Sequence, residues 1–240
     1  MDSYQAVFKR KEIKYLLTED QLTALMPILK EHMEPDAFPH SSISNLYYDT
    51  TDFRMIRRSL EKPQYKEKLR LRSYGVPGDS SLVFPEIKKK AQGIVYKRRV
   101  SMPYDEATRF LAGDSPAQQG QIFRELSWML ASYPHLEPRV FLSYERDSWK
   151  GIQEPELRLT LDRDILWRTC GLDLRQGQWG NPLLKPEEAL MEVKIPEAAP
   201  LWLSEAFSAL GIFPVSFSKY GRAYVTLCSQ KMNWETRQYA

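Results

Sequence analysis

The sequence is poor in the residues that most often announce chemistry. Two cysteines occur in 240 residues, Cys170 and Cys228, and they lie far apart in no metal-binding spacing. The expectation is a pair of reduced structural thiols, as in a cytosolic protein. Three histidines, His32, His40 and His135, are scattered and none neighbours a cysteine, which argues against a zinc centre. The sequence has no G-x-x-x-x-G-K-S/T loop, so P-loop nucleotide chemistry is excluded. No apolar run nears the roughly 20 residues of a membrane helix. The stretch from Met1 to Lys14 is polar and charged, unlike a secretory signal, and a cytoplasmic protein is expected. An excess of one charge is missing too, since 34 Lys and Arg against 31 Asp and Glu leave a net +3. That balance excludes a protein coated with positive charge for nucleic acid.

What is present is an ordinary globular composition, 42% apolar and 27% charged, which supplies a real core and argues against disorder. No repeat, low-complexity tract or linker divides the chain, so residues 1–240 read as a single domain with 230–240 as a tail. Clusters such as Gly75-Val76-Pro77-Gly78 and Gly177-Gln178-Trp179-Gly180-Asn181-Pro182 mark loops. Periodicity predicts four covering helices. Thr18 to Met33 opens on a capping-box spacing, Thr18 and Gln21, ahead of Leu22, Leu25, Met26 and Leu29 on one face. Asp52 to Leu60 is short and basic, and Ser115 to Ser132 carries Ile122, Leu126, Met129 and Leu130 on one stripe. Pro200 to Leu210 ends at Gly211. None of the four holds a chemical motif.

The strands are less ordinary. Lys66 to Tyr74 alternates strictly, which puts Leu69 and Leu71 on one face and Lys68, Arg70 and Arg72 on the other. Val83 to Lys90 projects Glu86, Lys88 and Lys90 opposite Ile87, and Lys97 and Arg99 repeat the device in Val95 to Met102. Arg139 to Trp149 groups Tyr144, Arg146 and Ser148, while Leu157 to Ile165 sets Arg158, Thr160 and Asp162 opposite Leu157, Leu159 and Leu161. Leu190 to Ile195 puts Glu192 and Lys194 opposite Met191, Val193 and Ile195. Near the N-terminus Arg10, Glu12 and Lys14 alternate with Lys11, Ile13 and Tyr15.

One such strand would be a solvated outer face. On consecutive antiparallel strands, like charges directly opposite one another repel. A sheet that tolerates this needs interspersed carboxylates or a bound polyanion, and Glu12, Glu86, Asp162 and Glu192 are outnumbered. If the sheet closes into a barrel, the charged face lines a concave anion site. Pro85 interrupts the regularity, because proline cannot donate to a ladder; an edge, a bulge or a local departure is expected there.

Many cations with few carboxylates suit a chain of phosphates and its metal. Arginine binds phosphate through its fork, lysine as a point charge, and magnesium or manganese through one or two carboxylates plus phosphate oxygens. Phosphoryl transfer asks chiefly for positioning and neutralisation, so the shortage of histidines and nucleophile motifs is no obstacle. In this setting Glu12-x-Lys14-Tyr15, Tyr48-Asp49, Lys68-x-Arg70-x-Arg72, Glu86-x-Lys88, Tyr144-x-Arg146, Arg158-x-Thr160-x-Asp162, Glu192-Val193-Lys194 and Ser218-Lys219-Tyr220 acquire a common meaning. Their order and spacing, from about residue 8 to residue 227, resemble the VTC polyphosphate polymerase domain of the triphosphate tunnel metalloenzyme superfamily, related to CYTH proteins.

The resemblance implies an α+β fold built on an eight-stranded antiparallel β-barrel, the triphosphate tunnel, with covering helices. It implies transfer of the ATP gamma-phosphoryl group onto inorganic polyphosphate. Lys14, Arg70, Arg72, Lys88, Arg146, Arg158 and Lys219 would be the catalytic phosphate grip. Glu12, Lys68, Lys90, Lys97, Arg99, Lys194, Ser218 and Tyr220 would contact substrate, and Glu192 would hold Mn²⁺ or Mg²⁺. Arg10 stands where the superfamily often carries a first carboxylate, which disfavours a simple CYTH triphosphatase. Two alternatives stay open: hydrolysis of tripolyphosphate or a nucleoside triphosphate, and a non-catalytic polyphosphate-binding module. Neither nucleic acid nor a membrane span is expected, and the oligomeric state is open. The SPX domain and membrane helices of eukaryotic relatives are not expected in this chain.

Overall fold

The computed structural model describes residues 11–92, 94–116, 118–133, 135–196 and 198–238, with side chains described to residue 230. Arg10, most of the polar N-terminal stretch and the side chains of the tail lie outside the described residues. The strands are β1 (Lys11–Thr18), β2 (Met33–Asp49), β3 (Tyr65–Tyr74), β4 (Leu82–Ala91), β5 (Ile94–Arg99), β6 (Met102–Pro103), β7 (Glu137–Gly151), β8 (Arg158–Arg168), β9 (Asn181–Pro182) and β10 (Glu188–Ile195). The helices are α1 (Glu19–His32), α2 (Arg54–Leu60), α3 (Tyr104–Leu111), α4 (Gln121–Ser132), α5 (Leu201–Ala209) and α6 (Lys219–Gln238).

The fold is α+β, with an antiparallel sheet in the order β1-β10-β8-β7-β2-β3-β4-β5. Eight strands therefore lie on the main path, the number the resemblance implies; β6 and β9 add two-residue pairings to β4 and β8. The path has two ends, β1 and β5, so the ladder is not the closed barrel that the sequence suggests. Among the described residues no helix is long and apolar enough to cross a membrane.

The chain divides into two compact units, each gathered from separated segments. The first comprises Met1–Ser41, Tyr144–Ile165 and Leu184–Phe217. Its core is built from the odd-numbered side of three strands, with Tyr15 and Leu17, Leu159 and Leu161, and Met191 and Val193 all buried. Leu25 and Leu29 of α1 and Leu203 and Phe207 of α5 pack on the same core. The capping box forms as expected: Gln21 N donates to Thr18 Oγ1 at 3.2 Å and Thr18 N to Gln21 Oε1 at 3.1 Å.

The second unit comprises Ser42–Ser143, Leu166–Leu183 and Ser218–Ala240. Leu69 and Leu71 of β3 and Ile87 of β4 pack with Phe110 of α3 and with Leu126 and Met129 of α4. Helix α2 starts beside a fully buried carboxylate, Asp49, which accepts from Met55 N at 2.9 Å and Ile56 N at 3.0 Å. The loop after β8 is held by a buried arginine. The Arg168 guanidinium donates to the carbonyls of Gly171, Asp173, Gly177 and Trp179 at 2.8–3.2 Å and lies 3.5 Å from the centre of the Phe141 ring.

Pro85 sits where its missing donor matters least. On one side of β4 the partner is β5 from Glu86 onward and β6 at Val83, and Pro85 falls in the gap between those pairings. The departure expected at this proline is a change of neighbour, and Glu86 keeps its register opposite Arg70.

Candidate functional site

The polar faces of the strands assemble two side-chain clusters, one within each unit. In the first unit, strand register places Lys14 opposite Glu192 and Glu12 opposite Lys194. On the other side of β10, Glu192 faces Thr160 and Lys194 faces Arg158. Lys14 Nζ lies 3.2 Å from Glu192 Oε1 and 3.8 Å from Glu12 Oε1. Arg146 reaches in from β7 and binds Asp162 with two prongs, Nε to Oδ1 at 2.5 Å and Nη2 to Oδ2 at 2.7 Å. The same Nη2 lies 3.5 Å from Glu192 Oε2. Arg158, half-exposed, pairs instead with Asp36 of β2 at 2.5 Å. The cations of this cluster are thus largely matched by carboxylates. Burial works against the Arg146 charge, yet Tyr144, Asp162 and Glu192 hold it well above the ordinary guanidinium range.

The second unit is unbalanced. Lys68, Lys88 and Lys97 stand directly opposite one another across β3, β4 and β5. In the next row Glu86 faces Arg70 on one side and Arg99 on the other. Arg70 donates from Nε to Glu86 Oε2 at 2.7 Å and from Nη1 to the Tyr47 hydroxyl at 3.2 Å. Arg72, buried, donates from Nε to Asn45 Oδ1 at 3.0 Å. Lys97 Nζ lies 3.1 Å from Glu86 Oε1. Lys88 and Lys90 are exposed and, among the described residues, have no side-chain hydrogen bond or ion pair.

Two of these groups carry displaced titrations. Burial alone would raise the Glu86 carboxyl, but Arg70, Arg72 and Lys97 outweigh it and hold it at about 2. Burial brings the Lys97 ammonium down to about 8; Glu86 opposes that shift, whereas Arg72 and Arg70 reinforce it.

The start of α6 joins this second cluster. Ser218 Oγ accepts from Gly221 N at 3.1 Å and from Lys68 Nζ at 2.9 Å, which ties the helix entrance to β3. Lys219 is buried. Tyr220 turns its hydroxyl to Asp49 Oδ2 at 2.9 Å and stacks on Tyr47 with ring centres 4.6 Å apart. Burial is the main reason its hydroxyl is held far above the ordinary phenol range.

Of the residues named from sequence, Lys14, Arg146, Arg158, Glu12, Lys194 and Glu192 meet in the first unit. Lys68, Arg70, Arg72, Lys88, Lys97, Arg99 and Ser218 meet in the second. Lys90 lies further along β4, opposite Lys66 and Val95. Sequence reasoning missed Asn45 and Asp36, both on β2. Asn45 lies in the run Ile43–Asp49, which is buried on both faces and therefore shows no alternation. Asp36 stands between Pro35 and Pro39, residues that argue against a strand.

Among the described residues no three His, Cys, Asp or Glu side chains gather so as to hold a metal by themselves. The donor chemistry of the first unit still fits Mg²⁺ or Mn²⁺. Glu192 brings a largely buried carboxylate next to Lys14 and Arg146, and one such carboxylate with phosphate oxygens is the usual mode for these ions.

The sequence model of the VTC domain matches residues 9–228. Vacuolar transporter chaperone complex subunit 4 of Trypanosoma brucei brucei is 24% identical over 282 aligned positions, which cover 92% of this chain. The match spans 35% of that relative's length. A candidate adenylate cyclase from Bacillus halodurans superposes with a TM-score of 0.55 at 18% identity, covering 87% of this chain and 95% of its own. A candidate adenylyl cyclase from Hippeastrum, described as having a dominant triphosphatase activity, superposes at 0.53 with 16% identity, covering 87% of this chain and 92% of its own. These likenesses show that the chain shares the fold of these two structures.

Proposed function

The chain belongs to the VTC domain family, and from that premise we propose that it is a metal-dependent polyphosphate polymerase. In the reaction, a terminal oxygen of inorganic polyphosphate attacks the gamma-phosphorus of ATP. The bond from that phosphorus to the β–γ bridging oxygen breaks, ADP leaves, and the chain is longer by one phosphate. The observation that carries the reading is the row Lys68, Lys88 and Lys97 beside Arg70, Arg72 and Arg99, with Glu86 as the carboxylate in their midst. A folded protein holds so many like charges together at a cost, and a polyanion is the ligand that offsets it.

The residues divide the work by their chemistry. Arg70 and Arg72, each fixed by a partner, present guanidinium forks in set orientations to phosphate oxygens. Lys68, Lys88 and Lys97 add point charges that neutralise a chain without demanding one orientation. Lys14 and Arg146 flank Glu192, where they accept negative charge developing on a transferring phosphoryl group. Glu192 would hold Mg²⁺ or Mn²⁺, which supplies further charge neutralisation on phosphate oxygens.

Purified protein incubated with ATP and Mn²⁺ or Mg²⁺, and followed by gel, should form long-chain polyphosphate. Phosphate release without polymer would replace this reading with hydrolysis of the triphosphate. Binding of polyphosphate with no metal-dependent turnover would leave a binding module.

A further inference from the structure

Glu86 is 1% exposed, too deep to reach solvent, and its negative charge would repel a phosphate. Yet it anchors cations from two different strands. Its Oε2 receives both Nε and Nη2 of Arg70, at 2.7 and 2.6 Å, and its Oε1 lies 3.1 Å from Lys97 Nζ. Lys97 belongs to β5, a strand exposed along its whole length, and its own side chain is 44% exposed. A lysine on such a strand would otherwise spend its rotamer freedom in water, and ordering it at binding would cost affinity.

We propose that Glu86 is a positioning residue for anion binding: it holds the Arg70 guanidinium and the Lys97 ammonium ready for an incoming phosphate chain. The inference rests on the polymerase reading only for naming that anion. The charged and titratable groups on this face are Lys68, Arg70 and Arg72 from β3, Lys88 from β4 and Arg99 from β5, with the Tyr47 hydroxyl from β2. Burial, with Arg72 and Arg70, favours the neutral Lys97 amine, and Glu86 favours the ammonium, so the carboxylate also keeps Lys97 charged toward pH 8. A bound phosphate adds a second anion beside Lys97, so binding just above pH 8 should draw a proton onto it.

The experiment is isothermal titration of the 240-residue protein with inorganic tripolyphosphate, without metal or nucleotide, between about pH 7 and about pH 9. Lys97 is followed in parallel by NMR of ε-labelled lysine. If Glu86 positions the cations, Glu86→Gln weakens tripolyphosphate binding about tenfold at about pH 7 and moves the Lys97 titration below that of the wild type. If Glu86 merely balances charge, removing it leaves a more positive face and binding tightens, which overturns the proposal. Lys97→Arg, which cannot lose its proton, should abolish the extra proton uptake near pH 8. Proton uptake that persists in Lys97→Arg overturns it as well, and this variant decides if Glu86→Gln fails to fold. None of these readouts needs turnover, so a failure to make polymer leaves them standing as an independent test of Glu86.

Discussion

Tyr220 donates its hydroxyl to Asp49 across 2.9 Å, and the same carboxylate caps the amides of Met55 and Ile56. One buried acid therefore joins the entrance of α6 to the entrance of α2. No lysine or arginine is paired with it among the described residues; backbone and hydroxyl donors satisfy it instead. Removing the phenol leaves a buried charge short of one donor. Tyr220→Phe should cost about 1.5–3 kcal/mol of stability, the range for a hydrogen bond to a charged group. Denaturant unfolding measures it, and an unchanged midpoint would mean the bond is replaced by water.

The two clusters should respond to charge removal in opposite ways. Arg146→Ala removes the two-pronged guanidinium partner of Asp162, which is fully buried, and should destabilise the protein by up to about 3–5 kcal/mol. Lys88→Ala removes a charge lying directly opposite both Lys68 and Lys97, and should stabilise by up to about 1 kcal/mol while weakening polyphosphate binding. Thermal unfolding alongside titration with polyphosphate separates the two effects. A loss of stability in Lys88→Ala would show that repulsion on this face is already relieved.

Glu192→Gln keeps the shape of the side chain and removes the charge a metal requires. Arg146 retains its two-pronged bond to Asp162, so the fold should persist. Turnover of ATP with Mg²⁺ or Mn²⁺ should fall by about a hundredfold or more. Activity that survives at high metal concentration with full dependence on the ion would move the metal to other carboxylates.

Acid should act on the second unit through Glu86. Its folded pKa, about 2, lies below the ordinary value of 4.5, so its contribution is fully present above pH 4.5 and is lost as pH falls toward 2. The size is on the order of 3 kcal/mol. Glu86→Gln should flatten the pH dependence of unfolding free energy across that window relative to the wild type. Parallel curves would place the acid response elsewhere, with Asp173, also held at about 2 by its bonds to Arg175, as the next carboxylate to test.

His40 gives the first unit a dependence of the opposite sign. Its Nδ1 lies 3.0 Å from Asp147 Oδ1 and its Nε2 3.2 Å from Glu145 Oε2, while Arg163 takes the second oxygen of Asp147. The hydrogen bond it makes to Asp147 leads in raising its pKa above 6.5. The stabilisation is therefore fully present below pH 6.5 and lost as pH rises through the raised value. His40→Gln should lower the unfolding midpoint more at about pH 6 than at about pH 8. Equal effects at both would show a contact independent of protonation.

Strands β3 and β10 were legible because charged and apolar residues alternate along them. Leu69 and Leu71 against Arg70, and Met191 and Val193 against Glu192, keep a period of two that no helix shares. The latter half of β2 was illegible for the converse reason: residues 43–49 are all buried, so polar and apolar positions do not alternate. Helix α4 begins at Gln121 rather than Ser115, and α3, from Tyr104 to Leu111, was missed. Helix α6 was hidden by Gly221, a poor helix former in its first turn, although Leu60 Cδ2 would lie 3.0 Å from any Cβ there. The members of the clusters could thus be named from alternation and motif order. Which cation meets which carboxylate could not, because Arg146 with Asp162 and Arg158 with Asp36 depend on strand register.

The Arg168 side chain gives the loop after β8 a peculiar mode of failure. Four carbonyls hang from one planar group wedged between Phe141 and Trp179, so no bond can be released while the rest persist for long. Hydrogen exchange across residues 171–179 should proceed in a single concerted opening rather than fray from one end. A lysine at position 168 has three donors and no plane, and cannot reproduce that latch.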